Sequence, residues 1–111
     1  MDKAAINLDK TTVQKIIKDM HKALSKYGIK ESHIALFGSF LNGNANKNSD
    51  IDMIIISDSF EGKNLFERIN MTLQAESDVR SHYIVPMDIL LKTQKEYEYS
   101  KKTYFDSEII A

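Results

Sequence analysis

A chain of 111 residues buries one hydrophobic core but leaves too little for a second lobe, so one domain spanning residues 1–111 is expected. Its 42% hydrophobic and 28% charged residues are ordinary globular proportions, and the absence of cysteine excludes disulfides, thiolate metal sites and a Cys nucleophile. Fifteen Lys and Arg against sixteen Asp and Glu leave a net charge of −1, which disfavours a dedicated nucleic-acid binder.

Val13, Ile16, Ile17, Met20, Leu24 and Tyr27 recur at helical spacing, which predicts an amphipathic helix over 12–27. Asp9 or Thr12 would cap it and Gly28 would stop it. Charges recur through this first helix, and no apolar run approaches the roughly 20 residues needed to span a bilayer. A cytoplasmic protein that does not engage membranes is the expectation.

Ile34-Ala35-Leu36-Phe37 is a short apolar run without polar alternation, ended by Gly38, and predicts a strand buried on both faces. Residues 42–49 are turn formers too polar to bury, hence an exposed loop. The β-branched run of residues 51–56 is the clearest strand in the chain.

Leu65, Phe66, Ile69 and Leu73 mark a second amphipathic helix continuing to near Val79. Tyr83 to Leu91 predicts a third strand, and Pro86 within it suggests an edge position or a bulge, because proline has no N–H for the ladder. Thr93 to Phe105 is charged and carries Tyr97, Tyr99, Tyr104 and Phe105, the pattern of a last helix before a loose end. Alternating helices and strands give an α/β layered domain, a small sheet flanked by helices. The pattern does not decide between parallel and mixed strands.

The chemistry gathers around the first two strands. Gly38-Ser39 ends one strand, ten residues follow from Phe40 to Ser49, and Asp50-Ile51-Asp52 opens the next. Side chains two apart in a strand share a face about 6–7 Å apart, so Asp50 and Asp52 converge. Two carboxylates held about 4 Å apart repel by about 4 kcal/mol at an effective dielectric of 20, which calls for a cation. Mg²⁺ suits them, because it takes one or two protein carboxylates and fills its shell with water and substrate phosphate. A second ion about 3.5–4 Å away would share a bridging aspartate.

Asp88, a lone acid among Val85, Pro86, Met87, Ile89 and Leu90, is the third candidate ligand. It is also the candidate to assist deprotonation of an attacking group. Gly38 and Ser39, at a strand-to-helix junction, would let backbone N–H groups and a hydroxyl approach phosphate oxygens. His21, His33 and His82 share no spacing that would gather them on one ion and read as surface or boundary residues, whereas Met20, Met53, Met71 and Met87 read as core filling.

The segments Phe37-Gly38-Ser39-Phe40-Leu41-Asn42-Gly43 and Ser49-Asp50-Ile51-Asp52-Met53 resemble the Gly-Ser, spacer, Asp-x-Asp signature of the nucleotidyltransferases related to DNA polymerase β, in particular their minimal bacterial and archaeal members. The likeness covers nearly the whole chain. It implies a small mixed sheet flanked by helices, with Asp50, Asp52 and Asp88 as metal and catalytic residues, Gly38 and Ser39 on the triphosphate, two Mg²⁺ ions, and ATP as donor. It further implies the antitoxin type of minimal nucleotidyltransferase, whose partner is a HEPN-domain toxin and whose reaction attaches AMP to it. The chain departs from the pattern in one respect: relatives often carry arginine soon after the Gly-Ser, where Phe40, Leu41 and Asn42 stand here. The alternative is therefore a nucleotidyltransferase-fold module that neutralises its partner by binding alone. The aromatic residues of the tail fit either a cap on the sheet or a partner-binding face.

Overall fold

The computed structural model describes residues 9–42, 50–103 and 106–111. Of the expected polar loop only Asn42 is described; its other residues, Lys47 among them, and the aromatic pair Tyr104 and Phe105 lie outside the described residues.

Helix α1 (Lys10–Lys26) begins at Asp9, whose side chain accepts a hydrogen bond from the Thr12 N–H, and buries Val13, Ile16, Ile17, Met20, Ala23 and Leu24. That is the predicted stripe with Ala23 added and without Tyr27, which follows the helix as its C-cap and is exposed. Strand β1 (His33–Phe37) is followed by a one-turn helix α2 (Ser39–Asn42), and strand β2 is Ile51–Ile56. A 3₁₀ turn at Asp58–Phe60 leads to α3 (Leu65–His82), followed by β3 (Met87–Lys92), α4 (Gln94–Thr103) and β4 (Ser107–Ile109).

The four strands form one mixed sheet in the order β3-β2-β1-β4. β1 runs antiparallel to both β2 and β4, while β2 and β3 are parallel. Alternation along each strand splits the core in two. Ile34, Leu36, Ile51, Met53 and Ile55 join the α1 and α3 side chains on one face, with Met20 fully buried and Met71 and Met87 packed against them. On the other face Ala35, Ile54 and Ile56 meet Tyr97 of α4, with Phe37 and Leu90 packed alongside. Both central strands are thus covered on both sides, as their unbroken apolar runs predict.

Three expectations are corrected. The third strand starts at Met87 rather than Tyr83, although Pro86 still contributes its carbonyl, which accepts from the Ile51 N–H at 2.9 Å. β3 is an edge strand, the position a neighbouring proline tolerates. The tail is not a loose end: Ser107, Glu108 and Ile109 pair with Phe37, Leu36 and Ala35. The Tyr97 and Ser107 hydroxyls lie 2.8 Å apart and tie α4 to that strand.

The third correction concerns α3, which buries Thr72, Ala75 and Val79, small side chains that let it lie close against α1. Leu65, Phe66, Ile69 and Leu73, the stripe that identified the helix, face solvent.

α3 is tied to α4 through Arg68. Its guanidinium donates to both Glu96 carboxylate oxygens, at 2.6 and 3.2 Å, and to the Leu91 carbonyl at 3.1 Å. Glu96 also accepts from the Thr93 N–H, while Thr93 Oγ1 accepts from the Glu96 N–H, a reciprocal cap on α4. The Arg68 hydrogen bond, outweighing burial, holds the Glu96 carboxyl down at about 2 against an ordinary 4.5. A depressed acid stabilises the fold above its unfolded value and loses that contribution as pH falls through its folded one. Glu96→Gln is therefore expected to lower Tm at pH 7 by a few degrees, about 0.5–1 kcal/mol for a half-exposed pair. The gap from the parent should close as pH falls from 4.5 toward about 2, which thermal melts over that range would show.

Candidate active site

The site lies where β2 and β3 begin and β1 ends. Parallel pairing places Asp52 directly beside Asp88, strand neighbours being about 4.8 Å apart. Each sits two residues before an apolar residue of the α4-facing core, Ile54 and Leu90 respectively, so both carboxylates belong to that face of the sheet. Asp50 is one residue before β2 and exposed, as is Asp88, while Asp52 is half-buried. Burial pushes the Asp52 carboxyl above its ordinary value, and the charges of Asp88 and then Asp50 push it further the same way. Both other predicted acids therefore act on Asp52.

Gly38 closes the site from β1. Phe37 is the register partner of Asp52, which brings the next residue over the Asp52 side chain. Gly38 has φ +72°, a left-handed conformation that glycine adopts without cost. A Cβ there would stand 2.1 Å from Asp52 Oδ2 and 3.0 Å from its carboxyl carbon. The glycine is required twice, for the turn from β1 into α2 and for the space the carboxylate fills. The Gly38 carbonyl then accepts from the Leu41 N–H at 3.1 Å, closing the turn that Ser39 opens.

This donor set suits a hard divalent cation. It is all carboxylate, two members are adjacent, and the apolar packing of Ala35, Ile54, Leu90 and Tyr97 lies further along the same face. Among the described residues no group of three Asp, Glu or His side chains is arranged to hold an ion by itself. An ion here would draw on one or two carboxylates at a time, with substrate oxygens completing its shell, which is the manner of Mg²⁺.

The histidines are not gathered. His21 Nε2 lies 2.9 Å from the Ser32 carbonyl, His82 Nδ1 lies 2.9 Å from the Asp78 carbonyl, and His33 opens β1 in an exposed position. A cavity of about 390 Å³ opens at the other end of the sheet, where Glu31 and Asp58 share the wall with Lys30 and His33. Charges there are mixed rather than of one sign, so that cavity does not rival the aspartate cluster as a cation site. Of the tail aromatics, Tyr97 caps the sheet, one of the two expectations for them: its ring is buried against Ala35, Ile54 and Ile56 and anchors α4, while Tyr99 on the same helix is exposed.

The nucleotidyltransferase domain model matches residues 13–110 of the chain. Among solved structures, a candidate nucleotidyltransferase from Sulfolobus solfataricus is similar at 18% identity with a TM-score of 0.69, over 89% of this chain and 79% of that one. A second candidate nucleotidyltransferase is 25% identical with a TM-score of 0.56, over 84% of this chain and 95% of the other. No protein of curated function matches the chain. No described helix is long and apolar enough to cross a membrane.

Proposed function

Because the chain belongs to the nucleotidyltransferase domain family and has its polymerase β-like fold, we propose that it is a Mg²⁺-dependent enzyme moving AMP from ATP onto an acceptor hydroxyl. The acceptor is a HEPN-domain toxin, which the chain neutralises as its antitoxin. The observation that carries this reading is the Asp52·Asp88 pair, set side by side at the start of two parallel strands with Asp50 within electrostatic reach.

Asp50, Asp52 and Asp88 would hold the ions, two of them in the full site, which when bound neutralise the triphosphate and the charge that develops during transfer. Gly38 and Ser39 bring the backbone of the β1–α2 turn to the triphosphate. Asp88, exposed at the edge strand, takes the proton of the acceptor hydroxyl as that oxygen bonds to the α-phosphorus. The bond from the α-phosphorus to its bridging oxygen breaks, and pyrophosphate leaves. Positioning and charge, rather than a covalent enzyme intermediate, supply the rate.

Incubation with α-labelled ATP and the partner toxin tests this directly: the toxin acquires label with the parent and none with Asp50→Asn, Asp52→Asn. A toxin that stays unlabelled while that double variant still protects cells would instead establish a second reading, neutralisation by binding alone. Phe40, Leu41 and Asn42, standing where relatives often have arginine, favour it.

A further inference from the structure

Among the described residues, α3 carries a solvent-facing apolar stripe that the site does not use. Phe66 is 77% exposed, Leu65 62%, Leu73 54% and Ile69 42%, all on one helix and within nine residues. Four large apolar side chains grouped in this way mark a contact surface rather than scattered surface residues.

The flanking charges select the occupant. At the N-terminal end stand Asp58, Glu61 and Lys63, all exposed, and at the C-terminal end Glu76 and Arg80, which are 3.9 Å apart. Helical spacing puts Ile69, Leu73, Glu76 and Arg80 on one side of α3. If a second copy of α3 lies antiparallel with the two-fold axis through Ile69, Phe66 of each copy meets Leu73 of the other. Lys63, just before the N-cap residue Asn64, then comes to the end where Glu76 of the other copy stands, about 10 Å from the axis. Arg80, about 16 Å out, passes the end of the other helix and reaches the turn carrying Asp58 and Glu61. A parallel pairing would instead set Lys63 on Lys63 and Arg80 on Arg80. We propose that α3 is a homodimerisation surface, pairing antiparallel about Ile69, with a second copy of this chain as its occupant. The inference is independent of the nucleotidyl-transfer reading, because the stripe contains none of the aspartates.

Sedimentation of the full chain from about 1 µM to about 500 µM is expected to show a concentration-dependent dimer. Ile69→Arg, which places two like charges at the axis, raises the dissociation constant at least about tenfold while leaving the circular dichroism unchanged, since Ile69 packs on nothing in its own chain's core. The chain has no cysteine, so single cysteines report register. Phe66→Cys mixed with Leu73→Cys should oxidise to the mixed disulfide faster than either oxidises with itself, and faster than Lys95→Cys on α4. A monomer at every concentration, Phe66→Cys pairing preferentially with itself, or no cross-link above the Lys95→Cys rate would each overturn the proposal.

Discussion

Asp52→Asn is expected to raise the Tm of the metal-free protein at neutral pH while cutting nucleotide transfer about a thousandfold. Both effects follow from one environment. Burial, Asp88 and Asp50 all disfavour the ionised Asp52 carboxylate, so its folded value lies above the ordinary 3.8. Between those two values the folded state holds more protons than the unfolded, and stability falls as pH rises. Above the raised value the whole penalty is present, and an amide that never ionises escapes it. The advantage of Asp52→Asn should therefore shrink as pH drops toward 3.8, and Mg²⁺ should stabilise the parent more than the variant. Metal-assisted charge stabilisation supplies several kcal/mol, and about 4 kcal/mol corresponds to about a thousandfold in rate. Melts with and without Mg²⁺ beside a transfer assay would show the two effects together; a variant less stable than the parent at pH 7 would mean that the acids do not repel.

Gly38→Ala should be the most damaging glycine-to-alanine change among the described residues. It pays about 1–2 kcal/mol for a left-handed backbone and must also displace the Asp52 carboxylate, which stands 2.1 Å from the new Cβ. A total of about 2–4 kcal/mol, at about 4 °C per kcal/mol for a domain of this size, lowers Tm by roughly 8–16 °C. In an Asp52→Ala background the clash with the carboxylate is gone, and what is left is the backbone cost and a tight 3.2 Å approach to the Cβ of residue 52. Chemical denaturation of the four proteins in this cycle yields a coupling of at least about 1 kcal/mol. Equal costs in both backgrounds would show that Gly38 serves the turn alone. Gly28 and Gly62 share the positive φ but have nothing within 4 Å of a Cβ, so alanine there meets only the backbone cost.

Much of the site was legible in the residues because it is local. Gly38 stands out where an apolar run stops, Asp50 and Asp52 share a face by strand periodicity, and Asp88 is conspicuous as an acid between Met87 and Ile89. The meeting of Asp88 with the Asp50–Asp52 pair was implied by the family resemblance and not by the spacing of the residues. It depends on β2 and β3 being parallel and in the register that sets Asp52 on Asp88, a pairing fixed by α3 crossing between them. The short β4 was missed for the same reason: of its three residues only Ile109 favours a strand, and the segment is held by the open edge of β1. The α3 stripe shows a different limit. Periodicity in Leu65, Phe66, Ile69 and Leu73 reveals a helix with an apolar side, but not which side meets the core, and the smaller Thr72, Ala75 and Val79 win that place by allowing close approach to α1.

The aspartate cluster is expected to capture a divalent ion together with a nucleotide. Calorimetric titration of a non-hydrolysable ATP analogue tests this most directly. The parent should bind with Mg²⁺ present, and lose that binding with chelator and in Asp50→Asn, Asp52→Asn. Binding of equal strength under all three conditions, or none under any, would contradict the account.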